Sequence, residues 1–201
     1  MATRTLSTKG LQTRQAIEDA ARKLFAQRGF HGTTLADITA EAGKSPAVFY
    51  RYFADKEDLL ASLAESFLKS LVDDMFDHPK VPDDRDFFVS TVTTYWTVFK
   101  PNIGIMVAID QLAATQPRFA LLQQQFRRFG IDIIGSSVRT AQRHGYGTEL
   151  NADHVALAIA LLFERFTSVS LSEGLSDDAA VTTLSTIWRK TLYGQPLEIF
   201  S

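Results

Sequence analysis

The chain has 201 residues, 45% of them hydrophobic and 22% charged, which is enough to build a core and excludes a disordered polymer. It contains no cysteine, so disulfides, thiolate catalysis and cysteine-ligated zinc or iron–sulfur sites are ruled out. Its 21 Lys and Arg against 23 Asp and Glu leave a net charge of −2, which taken as a whole offers nothing to nucleic acid.

That average hides an asymmetry. Up to Tyr52 the chain carries eight basic residues (Arg4, Lys9, Arg14, Arg22, Lys23, Arg28, Lys44, Arg51) against four acidic ones, a balance of +4, while the remainder has 13 against 19, a balance of −6. A basic head joined to an acidic, aromatic-rich remainder suits a DNA-reading module fused to a module with another task. The opening Met1-Ala-Thr-Arg-Thr-Leu has no apolar leader region, and the longest wholly apolar run, Val155 to Phe163, is short for a bilayer. The expectation is a soluble, cytoplasmic chain with no membrane partner.

From Thr13 to Arg28, Ile17, Ala20, Ala21, Leu24 and Phe25 recur at helical spacing and form one apolar stripe, which Gly29 ends. Thr34 with Asp37 reads as a capping box, and Leu35, Ile38 and Ala42 supply a second short stripe that Gly43 stops. Ser45 then caps a third helix with Pro46 at its first position, and Phe49 and Phe53 fall one turn apart on its inner face. Two short helices joined by a glycine-containing turn, between longer ones, suit either a helix-turn-helix in its three-helix setting or an ordinary helical hairpin. Further helices are expected near Asp55–Asp77, Asp83–Phe99, Asn102–Thr115, Pro117–His144, Asn151–Ser172 and Asp177–Tyr193, with no alternating strand pattern anywhere. The expected fold is all-α.

The stretches Thr13-Arg-Gln-Ala-Ile-Glu-Asp-Ala-Ala-Arg-Lys-Leu-Phe-Ala-Gln-Arg-Gly-Phe, Thr33-Thr-Leu-Ala-Asp-Ile-Thr-Ala-Glu-Ala-Gly and Ser45-Pro-Ala-Val-Phe-Tyr-Arg-Tyr-Phe-Ala-Asp-Lys-Glu-Asp-Leu-Leu together resemble the TetR family of bacterial transcriptional regulators. The resemblance spans roughly residues 11 to 62. It implies a helix-turn-helix domain over residues 1–54 and a six-helix ligand-binding and dimerisation domain over 55–201. It also implies a homodimeric, usually repressing regulator of a palindromic operator in double-stranded DNA, released by a small-molecule inducer and needing no cofactor.

By similarity to the family, Val48, Tyr50 and Arg51 lie nearest the bases, and Thr34, Lys44, Tyr52 and Lys56 on phosphates, with the cap Ser45 beside them. The chain departs from the family's commoner pattern at Pro46, Ala47 and Val48, where a polar residue, Gly and Thr are usual. Three apolar groups cannot hydrogen-bond a base, so they are expected against thymine methyl groups, leaving Arg51 as the polar reader of guanine O6 and N7 or, on the other reading, a phosphate contact. Arg4, Lys9 and Arg14 suit either a basic arm or a plain tail.

In the C-terminal part Phe67, Tyr95, Trp96, Phe99, Met106, Phe126, Phe129, Phe163 and Phe166 are bulky and uncharged, and line either a core or a cavity for a hydrophobic or aromatic ligand. Tyr95 O–H and Trp96 N–H are expected to hold the ligand's polar tip. The all-round apolar run from Val155, with Ala180, Leu184, Ile187 and Trp188 of the last helix, suits either an isologous four-helix dimer interface or the protomer's own core. No nucleophile, paired-acid or metal-ligand spacing points to an enzyme. Asp73, Asp74, Asp77 and His78 form the best metal-like cluster and read as a solvated helix end. The rival reading is a ligand-binding helical adaptor that has lost sequence-specific DNA binding.

Overall fold

The computed structural model describes residues 7–76 and 85–194, and these form helices joined by turns, with no strand among them. The helices are α1 (Thr8–Arg28), α2 (Leu35–Glu41), α3 (Pro46–Phe49), α4 (Lys56–Phe76), α5 (Arg85–Phe99), α6 (Ile103–Ala113), α7 (Pro117–Arg143), α8 (Ala152–Ser172) and α9 (Asp177–Tyr193). Arg4 and the ends of the cluster at Asp77 and His78 lie outside the described residues.

The start of α1 comes five residues earlier than its apolar stripe predicts, because the Ser7 side chain caps it by accepting from the Gly10 amide. Gly29 ends α1 at φ 71° and Gly43 follows α2 at φ 62°, the left-handed region where a side chain is strained. The Thr34–Asp37 capping box forms in both directions, so the first turn of α2 is fixed by residues three apart.

The chain divides into two compact units. Unit one comprises Met1–Val72 and Pro101–Gln123, and unit two comprises Asp73–Lys100 and Gln124–Ser201. Where the sequence sets a boundary after residue 54, compact unit one runs on through most of α4 and takes in α6. The reason is burial: Leu59, Leu60, Ala61, Leu63 and Ala64 of α4 are wholly buried, and α6 lies directly on α1. At that crossing a Cβ on Gly104 would stand 2.5 Å from the Phe25 carbonyl carbon and 2.6 Å from the Ala26 nitrogen, so only glycine lets the two backbones approach this closely. Arg22 of α1 adds a 2.7 Å hydrogen bond to the Asn102 side-chain oxygen just before α6.

Unit two has its own apolar core, built by α5 and α9 lying side by side with α7 and α8. Helix α8 is apolar and long enough to cross a bilayer by composition alone, but Ala156, Ile159, Ala160 and Phe163 on it belong to this core. Ala180, Leu184 and Trp188, candidates for a dimer interface, are buried within the protomer, a correction to that assignment. They repeat every four residues and form the inward stripe of α9, with Trp188 edge-on to Phe88 of α5 at 5.2 Å between ring centroids. Ile187, one position away, faces outward with 39% of its surface exposed.

Candidate nucleic-acid interface

The reading helix is a single turn. The Ser45 side chain accepts from the Val48 amide at 3.4 Å, and Pro46 at the first position lacks the N–H that would otherwise go unpaired. Phe49 and Phe53 are buried, their ring centroids 5.6 Å apart, and anchor the turn to the core of unit one. Around the turn the anchors leave eight of the ten predicted residues wholly or partly open to solvent. Ser45, Pro46, Ala47, Tyr50 and Arg51 are exposed, and Lys44, Val48 and Tyr52 are half-buried. Tyr50 keeps 60% of its surface open to solvent and packs edge-on to Phe49 at 5.7 Å, so its position is fixed while its hydroxyl stays accessible. Neither the Arg51 guanidinium nor the Lys44 ammonium has a side-chain partner among the described residues, which leaves both charges free for an external anion.

Lys56 and Thr34 are used differently from Lys44 and Arg51. The Lys56 ammonium donates to the carbonyls of Phe30 and Thr33 at 2.8 and 2.7 Å and lies 4.2 Å over the Phe30 ring, so it ties the start of α4 to the turn before α2. Burial pulls its pKa below the ordinary lysine value. The start of α4 beside it is capped by carboxylates: Asp55 accepts from the Asp58 amide at 2.7 Å, and Asp58 from the Ala54 amide at 3.1 Å. Thr34 is exposed, but its hydroxyl donates to Asp37 at 2.6 Å, and the Thr34 hydrogen bonds hold the Asp37 carboxyl below its usual pKa. Arg14 is no part of a free arm. It pairs with Glu18 at 2.9 Å, donates to the Ser62 hydroxyl and sits 5.1 Å over the Phe53 ring.

The candidate ligand residues are divided between the units. Phe67 and Met106 are buried in unit one, whereas Tyr95, Trp96, Phe99, Phe126, Phe129, Phe163 and Phe166 belong to unit two. Tyr95 stacks on Phe99 at 4.3 Å and spends its hydroxyl inside the protein, on the Phe163 carbonyl at 3.2 Å and the Thr167 hydroxyl at 2.9 Å. Burial pushes its pKa well above that of a free phenol. Trp96 is buried with its indole N–H turned toward the Asp177 carboxylate, short of hydrogen-bond geometry. Asp177 is held first by Lys100, at 2.7 and 2.8 Å, which lowers its pKa.

This pinned, solvent-facing turn lies within a recognised family domain. The family described as bacterial regulatory proteins, tetR family, matches residues 17–63, which run from α1 through the reading helix into α4. The chain belongs to the TetR family. Over 182 residues, 88% of this chain and 90% of the relative, this TetR-family chain is 25% identical to the uncharacterized HTH-type transcriptional regulator YdgC of Bacillus subtilis. Over 97 residues, 48% of this chain and 51% of the relative, it is 33% identical to the HTH-type transcriptional repressor AcnR of Corynebacterium diphtheriae. Its fold is that of the transcriptional regulator FadR from Bacillus subtilis, solved in complex with stearoyl-CoA, with a TM-score of 0.69 at 16% identity over 90% of this chain and 99% of that one. The TetR-family protein described here is a DNA-binding transcriptional regulator.

Three residues that position the TetR-family head escape a reading of the sequence. Gly104 sits at the start of a helix where nothing local asks for glycine; its partner is the backbone of Phe25. Arg118 at the start of α7 reaches Asp58 at 3.4 Å and Glu65 at 3.9 Å on α4, and Arg22 holds Asn102. The signal that could have found Gly104 is its placement in an otherwise apolar stretch, Ile103 to Ile109, with no turn chemistry to explain it.

Proposed function

We propose that this regulator is a cytoplasmic homodimeric repressor that binds a palindromic operator and is released by a hydrophobic small molecule held in its C-terminal part. The observation that carries the DNA-reading half is the one-turn helix, fixed by Phe49 and Phe53, that leaves Tyr50 and an unpaired Arg51 facing solvent. Arg51 reads guanine through O6 and N7, and Pro46, Ala47 and Val48 pack on thymine methyl groups. Lys44, Tyr52 and the exposed Ser45 serve the phosphates. Thr34 adds a phosphate contact only if its hydroxyl hydrogen is released from Asp37, and Lys56 acts by bracing α4 against the reading head. Pairing uses the outward side of the last two helices, where Leu157, Leu161 and Ile187 remain exposed, rather than the stripe of α9 now assigned to the core. The repressor assignment is supported by the name of the Corynebacterium relative, and a hydrophobic ligand by the stearoyl-CoA bound to the FadR neighbour and by the aromatic interior of unit two.

Release works through covalent continuity: α4 and α7 each run from one compact unit into the other, so a ligand that favours a different packing of unit two acts on the elements that carry the reading heads. Two heads enter successive major grooves only about 34–36 Å apart, and a small change in separation is enough to lose the operator. The test is selection of bound fragments from genomic DNA with the purified protein, followed by footprinting. A protected palindrome with half-sites about one helical turn apart is expected. Protection without sequence preference would favour the adaptor reading instead.

A further inference from the structure

We propose that unit two receives a neutral, apolar compound bearing a carbonyl-type oxygen, with the indole N–H of Trp188 as the donor that recognises it; this rests on unit two being the ligand-binding part. The argument is an account of donors. Among the described residues of unit two every buried hydroxyl is already used. Ser137 donates to the Ile134 carbonyl at 2.7 Å, Ser170 to Phe166 at 2.6 Å and Ser185 to Thr182 at 3.2 Å, while Tyr95 and Thr167 bond each other. The Trp96 Nε1–H is also without a hydrogen-bond partner, but the Asp177 carboxylate lies near it. Trp188 is 1% exposed and its Nε1–H has no acceptor among the described residues. A native core rarely leaves such a donor unmatched, and an unmatched one calls for a physical explanation.

Its surroundings narrow the ligand's chemistry. The Trp188 ring is met edge-on by three uncharged rings, Phe88 at 5.2 Å, Phe163 at 5.8 Å and Phe87 at 5.8 Å. The nearby charges on α7 and α8, Arg127 and Glu164, are paired with each other at 3.4 Å. An ionised carboxylate or an ammonium would therefore enter an apolar interior without a free counter-ion, a cost that one N–H or a set of ring faces cannot offset. A ketone, ester or amide oxygen on an apolar body matches what is present: ring surface for the body and one donor for the oxygen.

The chain has two tryptophans, both in unit two, so indole fluorescence and the indole N–H signals in a nitrogen–proton spectrum report on this site directly. Three probes of similar size separate the outcomes: 2-nonanone, nonane and octyltrimethylammonium, titrated against the full-length protein. The expected result is that 2-nonanone binds about tenfold more tightly than nonane, the return on one hydrogen bond made in a dry site, and shifts the indole signal that survives in Trp96→Phe. Trp188→Phe keeps the ring surface and brings the ketone to the affinity of nonane, with nonane itself little changed. If that variant fails to fold, the indole shift in Trp96→Phe still decides. Equal binding of ketone and nonane, tightest binding of the ammonium, or ketone binding that leaves the Trp188 signal unmoved would each overturn the proposal while leaving unit two as the ligand-binding part. Binding of none of the three, with no rise in melting temperature, would remove the ligand site from this unit and the proposal with it.

Discussion

The backbone crossing of α6 on α1 makes Gly104→Ala the most informative single methyl group in the protein. The added Cβ would lie 2.5, 2.6 and 2.7 Å from the Phe25 carbonyl carbon, the Ala26 nitrogen and the Phe25 oxygen, where ordinary contact begins at 3.4 Å. All three atoms belong to the backbone of a helix, so no side chain can swing aside, and the first turn of α6 must retreat from α1 by about 0.9 Å or more. The same retreat stretches the 2.7 Å Arg22–Asn102 hydrogen bond beyond useful length. Overpacking of this kind costs about 1–3 kcal/mol, and losing a hydrogen bond to a charged donor brings the expected loss to the upper part of that range. Gly130→Ala is the matched control. It also lies in a helix, its Cβ would meet only the Ala160 Cβ at 3.8 Å, and replacing a helical glycine there should stabilise by about 0.5–1 kcal/mol. Urea unfolding followed by circular dichroism measures both. Destabilisation by Gly104→Ala with stabilisation by Gly130→Ala is expected. If the two variants shifted the midpoint equally, the close approach of α6 to α1 would be refuted.

Four further outcomes follow from the same geometry. Arg51→Ala should weaken binding mainly by relaxing one base pair of the operator, by about 1–3 kcal/mol of discrimination; uniform loss across all substituted operators would mean a phosphate contact instead. Lys56→Ala should destabilise the fold by about 1–3 kcal/mol through the two orphaned carbonyls, yet leave the slope of log affinity against log salt unchanged, whereas a phosphate ligand would reduce that slope by about one. Asp37 has a folded-state pKa held below its ordinary 3.8, so the α2 capping box contributes stability that is complete above that value and is lost as pH falls through the lower, folded one. Comparing wild type with Asp37→Asn in acid unfolding should therefore show the difference shrinking toward low pH; a difference that grows would reverse the assignment. Leu157→Glu with Leu161→Glu should give a folded monomer by light scattering, because both leucines point outward from α8; an unchanged dimer would move the interface elsewhere.

Local chemistry was easy to read in the sequence and distant contacts were not. The caps at Thr34 and Ser45, and the buried pair Phe49 and Phe53, follow from residues three or four apart, and the structure has each of them. Only α1 began early, because its first turns carry no apolar stripe and are announced by Ser7 alone. Lys56 illustrates the limit for the site. Its residue type suits a phosphate, but its partners are carbonyls 23 and 26 residues away, which no spacing rule reaches. Trp188 illustrates it for packing: an apolar stripe specifies that a face is covered, and only the structure says that Phe87, Phe88 and Phe163 cover it rather than a second protomer.

The central claim, that this chain reads a particular DNA sequence through the turn from Ser45 to Tyr52, is tested most directly by titrating the protein at fixed salt onto its footprinted palindrome and onto a scrambled duplex of the same length and composition. The account predicts affinity for the palindrome at least about a thousandfold higher, with most of the difference removed by symmetric changes at the bases facing Arg51. Equal affinity for the two duplexes would contradict it.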